Sequence, residues 1–267
     1  MIWGGPVYCD TLKSVQWQRP TTVWCNALEG MSNDAYGAKV LATPDALAAV
    51  LADAKFPGTP GAIGMAGFSA FHEFASPFLA RVLDRVAYVH LADSCFQGAG
   101  ATVGKPGYVA YAKLAIAGKV RMTVTSNGNP NEDIHYSGPA GSKYEGVKFD
   151  LTSGSKCVKN FTTEALGGPI PEASFPLPAE LPYKPAATFR KGELYWLQYP
   201  ETTTKDPHGI HIKFAPPLIN MYGAPWLAGK RGGLLSTNPG PKLVATALGV
   251  LLGAFALNRM RQSGRIR

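Results

Sequence analysis

An α/β fold, with a mostly parallel twisted sheet and helices on both faces, is what this sequence of 267 residues predicts. Three observations point to it. Helical and short apolar segments alternate from residue 43 to residue 128. The strands are apolar along their length, as strands covered on both faces are. After a break of some sixty residues the same rhythm returns with Glu193 to Leu227.

Each element has a local reason. Thr21-Thr22-Val23-Trp24-Cys25 is β-branched and aromatic and follows the breaker Pro20. A loop rich in Gly, Asn and Ser comes next. Thr43-Pro44-Asp45 reads as N-cap, proline and acidic first turn for a helix Ala46 to Ala54. Pro57-Gly58 and Pro60-Gly61 end it. A strand Ala62 to Gly67 leads through Ser69 into a helix from Ala70 to Asp84. Arg85 to Ala92 is the next strand and stops at Asp93-Ser94. Tyr108 to Ala117 is helical, and Val120 to Thr125 is a strand ending at Ser126-Asn127-Gly128. Residues 129–190 break the pattern with Asn, Gly, Pro, Ser and Lys, and predict an irregular insert or lid. Strand Glu193 to Tyr199, the loop PETTTKDPHGI and a helix from His211 to Leu227 complete the domain, residues 1–229.

Composition narrows the function. Hydrophobic residues make up 46% and charged residues 16%, so a sizeable core is affordable and the surface is weakly charged. The net charge of +8 owes much to the C-terminal end, where it flanks an apolar segment. No RNA-binding aromatic motif, zinc spacing or recognition helix accompanies it, so nucleic acid is not expected. No phosphate-binding loop, dinucleotide fingerprint or HExxH is present, and the histidines and acids show no metal spacing. Neither a metal nor a cofactor is therefore expected. The N-terminus has no signal-peptide pattern, and none of the four cysteines is in a CxxC pair; reduced, buried cysteines are the expectation.

Beyond a linker at 230–241, residues 242–259 hold the uncharged run Leu243 to Leu257, fenced by Lys242 and Arg259. At about 1.5 Å per residue it falls somewhat short of a hydrocarbon core of roughly 30 Å, a gap that snorkelling of the flanking cations closes. It is expected to be a C-terminal transmembrane helix that anchors the protein. Ala245, Gly249 and Gly253 fall four apart and offer a face for pairing with a second copy. The basic tail 260–267, with Arg259 before it, predicts a cytoplasmic C-terminus.

The stretch Gly67-Phe68-Ser69-Ala70 carries the chemistry. A serine on a sharp strand-to-helix turn exposes its Oγ above the carboxyl edge of the sheet. The following helix aims N–H groups at a developing oxyanion, Ala70 first. The competing reading is that Ser69 only caps the helix. Phe71 stands where the turn calls for a small side chain. Asp93 ends the next strand on the same edge and is placed to orient a histidine. Of five histidines, His72 reads as a packing or polar neighbour of Ser69, His90 as a satisfied strand histidine, and His135 as a pocket-lining residue of the insert. His208 and His211 are the candidates for general base; His208 lies in the loop, whereas His211 begins the helix. The exit of the first strand, Asn26 and Ala27, is expected to give the second oxyanion N–H. Cys95 is a weaker candidate nucleophile, having no local base.

With the segments GMAGFSAFHEF, RVLDRVAYVHLADSCF, YAKLAIAGKVRMTVTSN, YWLQYP and DPHGIHIKFAPPLINMYGAPWL in this order, the chain resembles the minimal α/β-hydrolases of bacterial and phage genomes. In that group the elbow reads GFSAG, the next strand ends in aspartate, and the one after ends near THS. The last histidine precedes a helix with a proline and a closing APW. The resemblance covers residues 20 to 228. It implies Ser69 as nucleophile, Asp93 as acid and His208 as base, with Thr125-Ser126, Pro216 and Ala224-Pro225-Trp226 at the other matching positions. It also implies ester or amide hydrolysis through an acyl-enzyme, on a small molecule or, for a viral gene, on cell-envelope material. The alternative is a catalytically silent hydrolase-fold protein that serves as a structural component of a virion or envelope, suggested by Phe71, the long loops and the apolar C-terminal segment.

Overall fold

A computed structural model describes residues 2–4, 9–18, 21–25, 33–56, 60–137, 145–200 and 207–229. The elements run β1 (Ile2–Gly4), α1 (Cys9–Lys13), β2 (Val23–Cys25), α2 (Asn33–Leu41), α3 (Ala46–Asp53) and β3 (Gly64–Phe68). A single 3-10 turn, Ser69–Phe71, joins β3 to α4 (His72–Val82), which is followed by β4 (Tyr88–Ala92), α5 (Pro106–Ile116) and β5 (Arg121–Asn127). Then come β6 (Asp133–Ser137), β7 (Lys148–Thr152), α6 (Gly154–Leu166), β8 (Ala187–Lys191) and β9 (Leu194–Tyr199). The described chain closes with α7 (His211–Leu218), a π-helical turn at Ile219–Gly223, and α8 (Ala224–Gly229).

Seven strands form one sheet in the order β2-β1-β3-β4-β5-β9-β8. All neighbours pair in parallel except β8, which runs antiparallel to β9 at one edge. This is an α/β architecture with a mixed, mostly parallel sheet. Successive side chains of a strand leave opposite faces, and the core divides accordingly. Met65, Val89, Leu91, Met122, Val124 and Trp196 meet residues of α2 to α6, among them Val40, Leu47, Phe74, Tyr108 and Phe161. On the other face Ala66, Tyr88 and Ala92 meet Leu12, Ala215 and Ile219. Tyr195, Leu197 and Tyr199 meet Phe214 and Leu218 there.

Several expectations need correction. Thr43 does not cap α3; Asp45 does, its Oδ1 accepting from the N–H groups of Leu47 and Ala48 at 3.1 and 3.0 Å. The short β1, hydrogen-bonded between β2 and β3, had no signal in the Gly-rich N-terminus. The stretch expected as loop before Thr43 holds α2. Segment 129–190 is not irregular throughout: it contains the antiparallel hairpin β6–β7, the helix α6 and strand β8. In α6 the signals are local and readable. Ser153 caps it through a 3.0 Å bond from Lys156 N–H, Gly167 ends it in the left-handed region at φ +72°, and Cys157, Val158 and Phe161 make its buried stripe. The long last helix is divided in two by the π-helical turn, and two consecutive prolines, Pro216 and Pro217, lie inside α7.

The expectation of reduced cysteines fails at two of the four. Cys95 and Cys157 form a disulfide with Cα atoms 5.6 Å apart, joining the loop after β4 to the first turns of α6. Among the described residues no helix is long and apolar enough to cross a membrane. The segment Leu243–Leu257, with Gly249 and Gly253, lies outside the described residues, as do Asn26 and Ala27.

Candidate active site

Strands β3 and β4 end level, and β5 runs on to Asn127. The register pairs Phe68 with Ala92 and Ala92 with Thr125. The residues that follow, Ser69, Asp93 and Ser126, therefore stand side by side at the carboxyl edge of the sheet. Here the backbone is unusual. Ser69 has φ +56° and Asp93 φ +41°, in the left-handed region that non-glycine residues seldom adopt. Such a conformation costs on the order of 1–3 kcal/mol and is held only where the surroundings dictate it. A simple cap needs no left-handed φ, because N-cap residues are normally extended.

Phe71 does not obstruct this turn. Its side chain points down into the core, is only 3% exposed, and packs with Phe74 at a ring separation of 6.0 Å. The room comes from Gly67. A Cβ at that position would stand 1.7 Å from the Phe71 ring. The elbow thus needs one small residue of the two, and the glycine two before the serine is the one it keeps.

Asp93 is fully buried, and its Oδ2 accepts a hydrogen bond from Nδ1 of His208 at 2.6 Å. Its other oxygen, Oδ1, accepts from the backbone N–H of Asn127 at 3.2 Å. Nδ1 is thereby the protonated nitrogen of His208, and Nε2 is left as acceptor. The imidazole is held on two sides. Phe68 stacks on it with ring centres 4.4 Å apart, and Phe96 meets it edge-on at 5.7 Å. Phe68, the last residue of β3, immediately precedes Ser69. Ser69 Oγ makes no hydrogen bond among the described residues.

The remaining histidines take other places. His211 is fully buried, with Nδ1 against Thr125 Oγ1 at 2.8 Å, so Asp93 pairs with His208 and not with His211. His90 is likewise buried, against Thr123 Oγ1 at 2.8 Å, and burial lowers its pKa to about 3. His135 is exposed on the β6–β7 hairpin and pairs with Asp150 at 2.8 Å. His72 donates from Nδ1 to the Ser69 carbonyl at 3.0 Å; burial, and then the Lys105 ammonium, bring its pKa down to about 4. Cys95 is no nucleophile, because its sulfur is spent in the disulfide.

Three contributors had no sequence signal. Ser94 Oγ donates to the Ser69 carbonyl at 2.9 Å. Gly154, the first residue of α6, backs Asp93 so closely that a Cβ would stand 2.0 Å from Oδ1. The third is Phe96, the edge-on neighbour of His208. Only a fold that brings residue 154 against residue 93 reveals the second of these. Among the described residues no group of histidine, cysteine and acid side chains is arranged to hold a metal ion. No family model matches the chain, and neither a curated protein nor a solved structure matches it.

Proposed function

We propose that the chain is a serine hydrolase of α/β-hydrolase-like fold, acting on esters or amides through an acyl-enzyme. The observation that carries this reading is the 2.6 Å bond from His208 Nδ1 to buried Asp93, beside a serine at φ +56° on the same sheet edge. The bond to Asp93 fixes the tautomer of the neutral ring, with the proton on Nδ1 and Nε2 as acceptor. In the proposed reaction Nε2 takes the Ser69 Oγ proton as Oγ attacks the carbonyl carbon. The tetrahedral oxyanion accepts from the Ala70 N–H and from an N–H of the Asn26–Ala27 segment. Nε2–H then protonates the leaving alcohol or amine. Water, deprotonated by the same nitrogen, cleaves the acyl ester and frees Ser69. Asp93 holds the ring throughout. The half-buried Phe68 and Phe96 beside His208 favour a substrate with an apolar group next to the scissile carbonyl.

Leu243–Leu257 would tether this domain to a membrane, and the Cys95–Cys157 disulfide suits an oxidising site of action such as a cell envelope. A fluorophosphonate probe tests the catalytic part. The full-length chain is expected to be labelled and to hydrolyse short-chain p-nitrophenyl esters. Ser69→Ala is expected to lose both, and His208→Ala to lose at least about a thousandfold in kcat. Labelling that persists in Ser69→Ala, or that is absent from the unsubstituted chain, rejects the proposal.

A further inference from the structure

The Ser69 carbonyl oxygen receives two side-chain donors, His72 Nδ1 at 3.0 Å and Ser94 Oγ at 2.9 Å. A carbonyl only accepts, so both side chains donate, and His72 is the Nδ1–H tautomer. Ser94 is itself buried and fixed: the hydroxyl of Tyr108, wholly inside the core, donates to the Ser94 carbonyl at 3.1 Å. The peptide bond is planar and trans, so the C=O of Ser69 and the N–H of Ala70 are parts of one rigid plate and point in opposite directions. Holding the oxygen fixes where the N–H aims. Ala70 lies in the first turn of the helical segment, where an N–H has no partner further back along the helix. Hydrogen bonds accepted at the oxygen also polarise the amide and strengthen the N–H as donor.

We infer that His72 and Ser94 are positioning residues which aim the Ala70 N–H at the oxyanion by clamping the peptide between Ser69 and Ala70. This rests on the hydrolase reading above. The clamp explains how a left-handed serine is held, and it ties the nucleophile's peptide to the residue that follows the acid. Ser94 and Asp93 are consecutive, so one short loop serves both ends of the charge system.

The test uses the full-length chain and a short-chain p-nitrophenyl ester. Ser94→Ala and His72→Phe are each expected to lower kcat about tenfold with KM within about twofold, because the donor they aim acts on the transition state and loss of such a donor outright costs 10²–10³. Ser94→Thr keeps a hydroxyl, and His72→Asn keeps an N–H near the place of Nδ1; both are expected to restore most of kcat. Nitrogen-15 shifts of His72 are expected to report Nδ1 protonated at neutral pH, a readout independent of turnover. Unchanged kcat in both donor-removing variants, losses that the donor-keeping variants do not restore, or an Nε2–H tautomer at His72 would each overturn the inference while leaving the hydrolase reading standing. Absence of turnover and probe labelling in the unsubstituted chain would overturn both.

Discussion

The ring of Phe71 fills the space where a side chain at position 67 would go. Gly67→Ala is therefore expected to clash, since its Cβ would lie 1.7 Å from that ring in a buried site. Overpacking of this kind costs about 1–3 kcal/mol. Removing the ring removes the clash, so in the Gly67→Ala/Phe71→Ala pair the alanine at 67 should add little to the loss caused by Phe71→Ala alone. A double-mutant cycle by denaturant unfolding measures this coupling, expected to exceed about 1 kcal/mol. Additive losses would mean that the elbow tolerates the Cβ in another way. In sequence Phe71 looked like an obstacle to catalysis because its direction was unknown. Once it is seen to point inward, the same residue is a floor beneath the serine.

Among the elements, α6 does the most for the site with the least warning. Its N-terminus lies behind Asp93, where the positive end of the helix favours the carboxylate, and Gly154 permits the approach. Gly154→Ala would push a methyl group to 2.0 Å from Oδ1 and displace the carboxylate from His208. On the proposed hydrolase mechanism the expected outcome is a loss of kcat of at least about tenfold, with the circular dichroism spectrum kept. Wild-type turnover in this variant would show that Asp93 has slack. Strands β3, β4 and β5 contribute differently. Their apolar runs were plain in the sequence, and the paired ends of β3 and β4 place the serine and the acid.

For the whole molecule, acid sensitivity follows from the buried imidazoles. His72 and His90 have pKa values of about 4 and about 3 in the fold, against an ordinary 6.5, chiefly because burial penalises the charged ring. The unfolded chain binds both protons below pH 6.5 while the folded chain refuses them. Their contribution to stability is thus complete above pH 6.5 and is lost as the pH falls toward 4. The expected slope in that window is about 2.7 kcal/mol per pH unit from the two together. His90→Gln should roughly halve it; denaturant unfolding at pH 7.5, 6 and 5 checks this, and an unchanged slope would contradict it. The disulfide acts at the same scale. It closes a loop of 62 residues, for which chain entropy predicts about 4 kcal/mol. Replacing Cys95 and Cys157 by alanine should lower the unfolding free energy by an amount of that order; a loss below about 1 kcal/mol would place the stabilisation elsewhere.

The alternation of apolar strands with helices, and the order of Ser69, Asp93 and His208 after the ends of three strands, were legible from the chain alone. Both depend on hydrophobic periodicity and on turn chemistry within a few residues. What stayed hidden depends on residues far apart in sequence: α6 behind the acid, the pairing of Cys95 with Cys157 across 62 positions, and the inward turn of Phe71. His208 was favoured over His211 by its place in the loop before the helix, but what each ring touches was not legible. Packing separates them, burying one against Thr125 in the sheet and leaving the other free to reach Asp93. Local pattern determines which residues arrive at the edge of the sheet, and tertiary packing decides which of them touch.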